Sequence, residues 1–226
     1  MKKLLLAAAI AAACANAHAI TVTTGGFDDP ATTIGETSIV AGAVMLNDFD
    51  GTFLGTVATY AGGNIVNGSS SVTAAPPDNA PTVGGVDTSN YLHVGPGGGS
   101  IPSSTMATVT FLLPTSYFGF WWGSPDTYNM LEITSSAGTK TITGDDVSTL
   151  LGSTANGDRA KGMYLNIAAG AGETLTKVVF KSATNAFETD NHMVVAVPEP
   201  STYAAMGAGL GLLGFVASRR RKARAA

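Results

Sequence analysis

The sequence predicts an all-β fold: a single β-sandwich of jelly-roll type, followed by one short C-terminal transmembrane helix. Three observations carry that prediction. Short segments rich in Val, Ile, Thr, Phe, Tyr and Trp recur between turn-forming residues, as strands do. Glycine is abundant at 28 residues, and it crowds with Ser, Thr and Pro between those segments, where turns are needed. Residues 203–217 form an uncharged run closed by a cationic cluster, the pattern of a membrane segment whose basic end stays in the cytoplasm.

The expected strands, in order, are 56–60, 107–113, 117–122, 130–134, 139–143, 163–167, 175–181 and 192–195. Residues 130–143 read as a hairpin, with Ser135, Ser136, Ala137 and Gly138 as the turn. A short helix is expected at 145–152, where Asp145 and Asp146 precede Val147 and Leu150. Many short strands with a turn every eight to twelve residues are the signature of a sandwich or jelly roll. Residues 62–81 and 95–104 read as surface loops, because Gly-Ser-Pro composition buries too little apolar area to form core. Pro96, Gly97, Gly98 and Gly99 are not followed by Lys-Ser/Thr and a helix, so they do not make a phosphate loop.

The two ends read as targeting segments. Lys2 and Lys3, the apolar run 4–13 and Ala17-His18-Ala19 form a signal peptide over residues 1–19, with cleavage expected before Ile20. The domain itself is expected over residues 20–196, long enough for one core. Residues 197–226 form a tail of three parts. Pro198, Glu199 and Pro200 make a rigid polar break. The run 203–217 spans roughly 22 Å at 1.5 Å per residue, short of a ~30 Å hydrocarbon core. Gly207, Gly209, Gly211 and Gly214 weaken it further as a helix and open its backbone to close approach. Arg219, Arg220, Arg221, Lys222 and Arg224 close the chain.

Composition excludes several classes. The single cysteine, Cys14, lies in the signal segment, so the domain is expected to hold together without disulfides despite an oxidising destination. With the terminal basic residues set aside, Lys140, Arg159, Lys161, Lys177 and Lys181 face fifteen acids, all except Glu199. The resulting formal charge of -10 disfavours nucleic acid, where phosphate neutralisation supplies much of the affinity.

The search for catalytic residues finds none to name, and no cofactor is expected. No serine occupies a Gly-x-Ser-x-Gly elbow. A hydrolase would have to bring His93 or His192 to a Ser or a carboxylate. Asp48 and Asp50, in Asp-Phe-Asp-Gly, offer a weak calcium candidate, without the further ligands of an EF-hand loop; a turn with exposed carboxylates is the plainer expectation. Trp121, Trp122, Asp126 and Tyr128 suggest glycan contact, since exposed aromatic faces stack on sugar rings. Strand alternation sends Phe118, Phe120 and Trp122 inward and leaves Trp121 facing out. Gly119 and Gly123 would mark places where a ring or another backbone packs close.

A Pro-Glu-Pro motif, a short apolar helix and a terminal Arg cluster, in that order, resemble the PEP-CTERM sorting signal. The resemblance implies recognition of Pro198, Glu199 and Pro200 by exosortase, an intramembrane cysteine transpeptidase, with the helix and basic residues as retention element. Residues 122–129 (Trp-Gly-Ser-x-Asp-x-Tyr-Asn), 91–95 (Tyr-Leu-x-Val-Gly) and 187–191 (Phe-Glu-x-Asp-Asn) are similar to one family of exosortase-dependent surface proteins. That family brings no enzymatic residues to transfer. The expectation is an exported, non-enzymatic Gram-negative surface protein with a structural or adhesive role in biofilm or exopolysaccharide. Its partners would be the Sec machinery, signal peptidase, exosortase, the inner membrane in transit and exopolysaccharide outside. A glycan-binding module is the alternative, and a cryptic hydrolase a weaker one.

Overall fold

The structure, a computed structural model, describes residues 20–25, 27–28, 36–38, 40–75, 89–151, 162–197, 208–210 and 212–213. The first strands in chain order are β1 (Thr21–Thr24), β2 (Phe27–Asp28), β3 (Glu36–Thr37) and β4 (Val44–Asn47). Next come β5 (Ala58–Gly62), β6 (Asn64–Asn67), β7 (Asn90–Val94) and β8 (Met106–Gly123). The hairpin β9 (Asn129–Ser135) and β10 (Gly138–Thr143) leads into helix α1 (Gly144–Leu151). The chain closes its domain with β11 (Gly162–Ala168), β12 (Leu175–Ser182) and β13 (Phe187–Ala196). All but β2 and β3, which pair with each other, join one 11-stranded sheet. The all-β expectation holds.

β8 organises that sheet. The sequence predicts two strands here, 107–113 and 117–122, and Pro114, which lacks a ladder donor, lies between them. The structure runs them together into 18 residues, and the change of partner falls around the proline. The first half pairs with β5 and β12, from Ala58↔Phe111 and Lys181↔Met106. The second half pairs with β11 and β13, from Gly162↔Gly123 and Glu188↔Gly123. The Pro114 carbonyl is not wasted, since it accepts the Val197 N–H at 2.7 Å.

The two arms thus made face each other across an aromatic core. Phe180, on the β12 arm, lies 5.1 Å from Phe120 and 5.3 Å from Phe187 on the other arm. Phe111 meets Phe118 at 5.5 Å, so the two halves of β8 itself close on one another. Leu46, Val109, Leu131, Ile133, Leu165 and Val178 fill the space between, all with no exposed surface. Apolar burial on this scale, at about 25 cal/mol per Å², is the main stabilising term in a domain without a disulfide.

Local rules account for the smaller elements. Thr143 and Asp146 cap α1 reciprocally: the Thr143 N–H donates to Asp146 Oδ2 at 2.8 Å, and the Asp146 N–H donates to Thr143 Oγ1 at 3.3 Å. That is a capping box with Asp in place of Glu. Those hydrogen bonds from Thr143 hold the Asp146 carboxyl below the ordinary carboxylate range.

Two sequence expectations need correction. Residues 62–81 are not one surface loop: Asn64–Asn67 form β6 against β7, and Thr73, Ala74 and Ala75 are buried. The signal was weak because Ile65 and Val66 are a lone apolar pair between Gly-Asn and Asn-Gly-Ser residues. For the transmembrane helix, no helix among the described residues is long and apolar enough to cross a membrane. Within 203–217 the described residues, 208–210 and 212–213, are helical, and the rest of that run lies outside the described residues, as do residues 1–19.

Candidate functional site

Three sequence motifs that lie far apart in the chain meet in one place. β13 pairs with β7 through Phe187↔Val94, Glu188↔His93 and Thr189↔Leu92. It pairs with β8 through Glu188↔Gly123, Thr189↔Trp122 and Asp190↔Trp121. Residues 91–95, 122–129 and 187–191 are therefore neighbouring pieces of one sheet. Trp122 stacks flat on Phe187, with ring centroids 4.3 Å apart and planes 6° from parallel.

The turn after β8 is held by its polar residues. The Asp126 N–H donates to Asn129 Oδ1 at 2.8 Å, and Asn129 Nδ2 donates to Ser182 Oγ and the Ala186 carbonyl, both at 3.0 Å. The Tyr128 hydroxyl reaches Asp126 Oδ2 at 2.6 Å and the Asn185 carbonyl at 2.7 Å. Asn185 in turn clasps Gly97 in both directions, accepting its N–H and donating to its carbonyl at 2.9 Å each. Burial raises the Tyr128 phenol, and the hydrogen bond and charge of Asp126 and the charge of Glu188 raise it further. The phenol stays neutral and serves as a donor. Ser124, at φ 51°, starts this turn in the left-handed region, an uncommon place for a residue with a side chain.

Sequence alternation places Trp121 outward, available to a sugar ring. The structure buries it completely, along with Trp122. The reason is that the second half of β8 is covered on both faces, so alternation there does not separate inside from outside. On the outer face, residues 69–75 lie across the sheet as a strap. Tyr91 donates its hydroxyl to the Gly68 carbonyl at 2.6 Å, and the Ala74 N–H donates to Glu188 Oε1 at 2.9 Å. His93 Nε2 meets the Val72 carbonyl at 3.2 Å. Further along the same face, Tyr117 donates to Asn166 Oδ1 at 2.6 Å. A Cβ on Gly119 would collide with the Tyr117 hydroxyl and the Tyr164 ring, so Gly119 marks the close ring approach expected of it. Of the predicted glycan set, Trp121, Trp122 and Asp126 are interior, and Tyr128 alone is exposed. The four residues share a region, yet they present no aromatic platform.

Among the described residues, the partners of His93 and His192 are a backbone carbonyl and two hydroxyls of Tyr60 and Thr189. His93 bonds the Val72 carbonyl. His192, fully buried, sits between two hydroxyls, with Tyr60 at 2.7 Å on Nδ1 and Thr189 at 2.9 Å on Nε2. Phe49, Phe118, Phe120 and Phe180 surround its ring at 5.0–5.9 Å. Burial pushes its pKa down to about 3, so the imidazole is neutral at ordinary pH. Burial also lowers His93, against the hydrogen bond to Val72. No local signal marks the Tyr60–His192–Thr189 link, whose members lie up to 132 residues apart.

Tyr60 also lines a groove of about 430 Å³ with Asn47, Phe49, Thr52, Phe53 and Ile65 among its walls. Phe53 and Ile65 are each about half exposed there. The calcium candidates flank this groove and have other employment. Asp48 Oδ1 accepts the N–H groups of Asp50, Gly51 and Thr52 at 2.8–3.0 Å. Partial burial works against its ionisation, but the hydrogen bonds from Thr52, Asp50 and Gly51 prevail and hold the carboxyl below its usual range. Asp50 Oδ1 accepts the Asn90 N–H at 3.0 Å and side-chain amide at 2.7 Å. Among the described residues, no three His, Cys, Asp or Glu side chains gather as a metal would require. Asp48 clasps its own turn, and Asp50 ties that turn to the start of β7.

Pro198, Glu199 and Pro200, and Arg219, Arg220, Arg221, Lys222 and Arg224, lie outside the described residues. Their assignment comes from comparison: the PEP-CTERM protein-sorting motif matches residues 196–222. The chain carries a PEP-CTERM sorting motif. The match takes in the Pro-Glu-Pro element and the basic cluster as far as Lys222 and leaves Arg224 just beyond. PEP-CTERM motifs imply export to the surface and exosortase processing. No curated protein matches the chain. Among solved structures, the K2 cleaved adhesin domain of Lys-gingipain (Kgp) is similar over 78% of this chain and 99% of that one. Identity is 14% and the TM-score 0.31, a likeness that carries no argument.

Proposed function

We propose that this chain is a non-enzymatic surface protein of a Gram-negative bacterium, with a structural or adhesive role in biofilm or exopolysaccharide. It is exported through Sec, cut by signal peptidase, held briefly in the inner membrane by residues 203–217 and released or attached outside by exosortase. The observation that carries this reading is the sorting motif at 196–222. Its placement on the fold supports it. The motif begins at Ala196, the last residue of β13, and the Val197 N–H is pinned to the Pro114 carbonyl. A group joined to the processed end would be tethered to a central strand, so a pull on it would load the whole sheet. Description of the domain as a jelly-roll-like sandwich rests on the two arms that face each other across Phe120 and Phe180.

Intact mass of the protein from its native host, with and without the exosortase, tests the reading. A chain that begins at Ile20 and ends near residues 198–202, seen only in the strain with the transpeptidase, is the expected result. A tail intact through Ala226 in both strains would overturn it and leave a plain single-span anchored protein.

A further inference from the structure

Among the described residues that line the groove beside Tyr60, three are aromatic and none is charged. Tyr60 stands near-perpendicular to Phe49 and to Phe53, with planes at 89° and 78° and ring centroids 5.9 and 5.6 Å away. The Tyr60 ring also stacks on His192 at 5.6 Å, and its hydroxyl meets His192 Nδ1 at 2.7 Å, so the core fixes it in place. Phe49 packs on the same imidazole at 5.0 Å. Its backbone sits at φ 57°, with its N–H donating to Asn47 Oδ1 at 2.9 Å. A bulky residue rarely takes that conformation, and such positions cluster where the backbone aims a side chain at a ligand. Phe53 and Ile65, each about half exposed, bring apolar surface to solvent. The groove's volume of about 430 Å³ falls within the roughly 300–1,000 Å³ of small-molecule sites.

The loop that supplies Phe49 alternates groove residues with carboxylates. Asn47, Phe49, Gly51 and Thr52 line the groove, and Asp48 and Asp50 stand between them in the chain. Asp48 Oδ1 accepts the N–H groups of Gly51 and Thr52 at 3.0 and 2.8 Å, which puts that oxygen against the groove's wall. Its carboxyl is held below the usual range and is ionised at neutral pH. Hydrogen bonds from neutral donors satisfy these carboxylates and leave their charge in place. Aromatic rings attract a cation through their quadrupole, most strongly where the cation sheds its water readily, as a methylated ammonium does. The two carboxylates beside the rings add to that attraction. An anion would be repelled by them, and a neutral sugar would gain nothing from them.

We propose that this groove is a binding site for a small organic cation of the quaternary ammonium class. Phe49, Phe53 and Tyr60 surround the methylated nitrogen, and Asp48 and Asp50 supply the negative field at the rim. The groove belongs to the folded domain, so the site is the same whether or not the C-terminal tail is processed.

Isothermal titration of the protein from its native host tests this, with choline chloride compared with the neutral alcohol in which carbon replaces the choline nitrogen. Choline is expected to bind several times more tightly than its neutral isostere. Phe53 and Asp50 are both exposed, so substitutions there leave the core untouched. Phe53→Leu keeps apolar cover without a ring; it is expected to weaken choline roughly three- to tenfold and to leave the alcohol nearly unchanged. Phe53→Tyr keeps a ring and is expected to bind choline as the wild type does, which separates loss of the ring from loss of the fold. Asp50→Asn keeps an oxygen for Asn90 and removes the charge, so choline weakens a few-fold at low salt and the difference fades as salt rises. Equal affinity for choline and the alcohol would mean an apolar groove indifferent to charge and would overturn the proposal. So would choline binding that survives Phe53→Leu and Asp50→Asn together, a neutral oligosaccharide that binds more tightly than choline, or no binding of choline at all.

Discussion

At the scale of single residues, the most consequential side chain is one that the sequence offered only as a weak hydrolase candidate. His192 is a neutral imidazole between two hydroxyls in a cage of phenylalanines, and its folded pKa of about 3 lies below the ordinary 6.5. The unfolded chain therefore takes up the proton first as pH falls. Stability contributed by the buried neutral form is whole above about pH 6.5 and is lost progressively toward about pH 3. At about 1.4 kcal/mol per pH unit, the loss between pH 6.5 and 4.5 is roughly 2–3 kcal/mol. Urea unfolding at pH 7 and about pH 4.5 checks it. The wild type is expected to lose more than His192→Gln, whose amide can still meet Tyr60 or Thr189 without titrating. Equal losses in the two proteins would remove His192 from the account.

At the scale of elements, the strap over residues 69–75 shows where composition misleads. Ser69, Ser70 and Ser71 are exposed, yet Thr73, Ala74 and Ala75 just after them are buried, although the Gly-Ser composition around them reads as loop. What holds them is a set of hydrogen bonds from a sheet face that is polar because the strap covers it: the Tyr91 hydroxyl, the Glu188 carboxylate and the His93 ring. Tyr91→Phe removes one such bond, at a cost of about 1 kcal/mol, and Glu188→Ala removes a charged acceptor worth about 1.5–3 kcal/mol. Hydrogen exchange is expected to quicken at residues 69–75 in both variants while the β9–β10 hairpin keeps its protection. Unchanged exchange at the strap would mean that packing alone retains it. The same covering explains why Trp121 turned from a proposed sugar platform into a core residue.

Elements with a strong local pattern were legible. The β9–β10 hairpin appears with its turn at Ser136 and Ala137, because Thr, Ile and Leu alternate on arms of matched length. α1 starts where two aspartates follow a threonine. β8 was only half legible: Pro114 is a sound local reason to end a strand, and it was overridden because the ladder changes partners at that point. β7 and the first half of β13 hold His93, Glu188, Asp190 and Asn191, residue types that are mostly exposed in proteins. They are buried here because elements that cover the sheet supply hydrogen-bond partners such as the Val72 carbonyl and the Ala74 N–H.

At the scale of the whole molecule, the domain and the sorting tail are joined at one residue. The last sheet contacts are Ala196↔Thr115 and the Val197 N–H on Pro114. A chain truncated after Val197 is expected to melt at the same temperature as the full domain, whereas one truncated after Val195 melts several degrees lower. Circular dichroism on the two truncations checks this. A lower Tm after the first cut would show that the tail contributes to folding.

The sequence by itself determined the fold class, the acidic character of the domain and the address at its C-terminus, because each depends on composition or on residues adjacent in the chain. Tertiary structure alone decided which polar residues are interior, which tryptophans a ligand can touch, and that motifs 91–95, 122–129 and 187–191 form one patch of sheet. The physical reason is range. Strand propensity and sorting motifs are written in neighbouring residues, whereas burial on a two-sided sheet depends on partners that arrive from a hundred residues away.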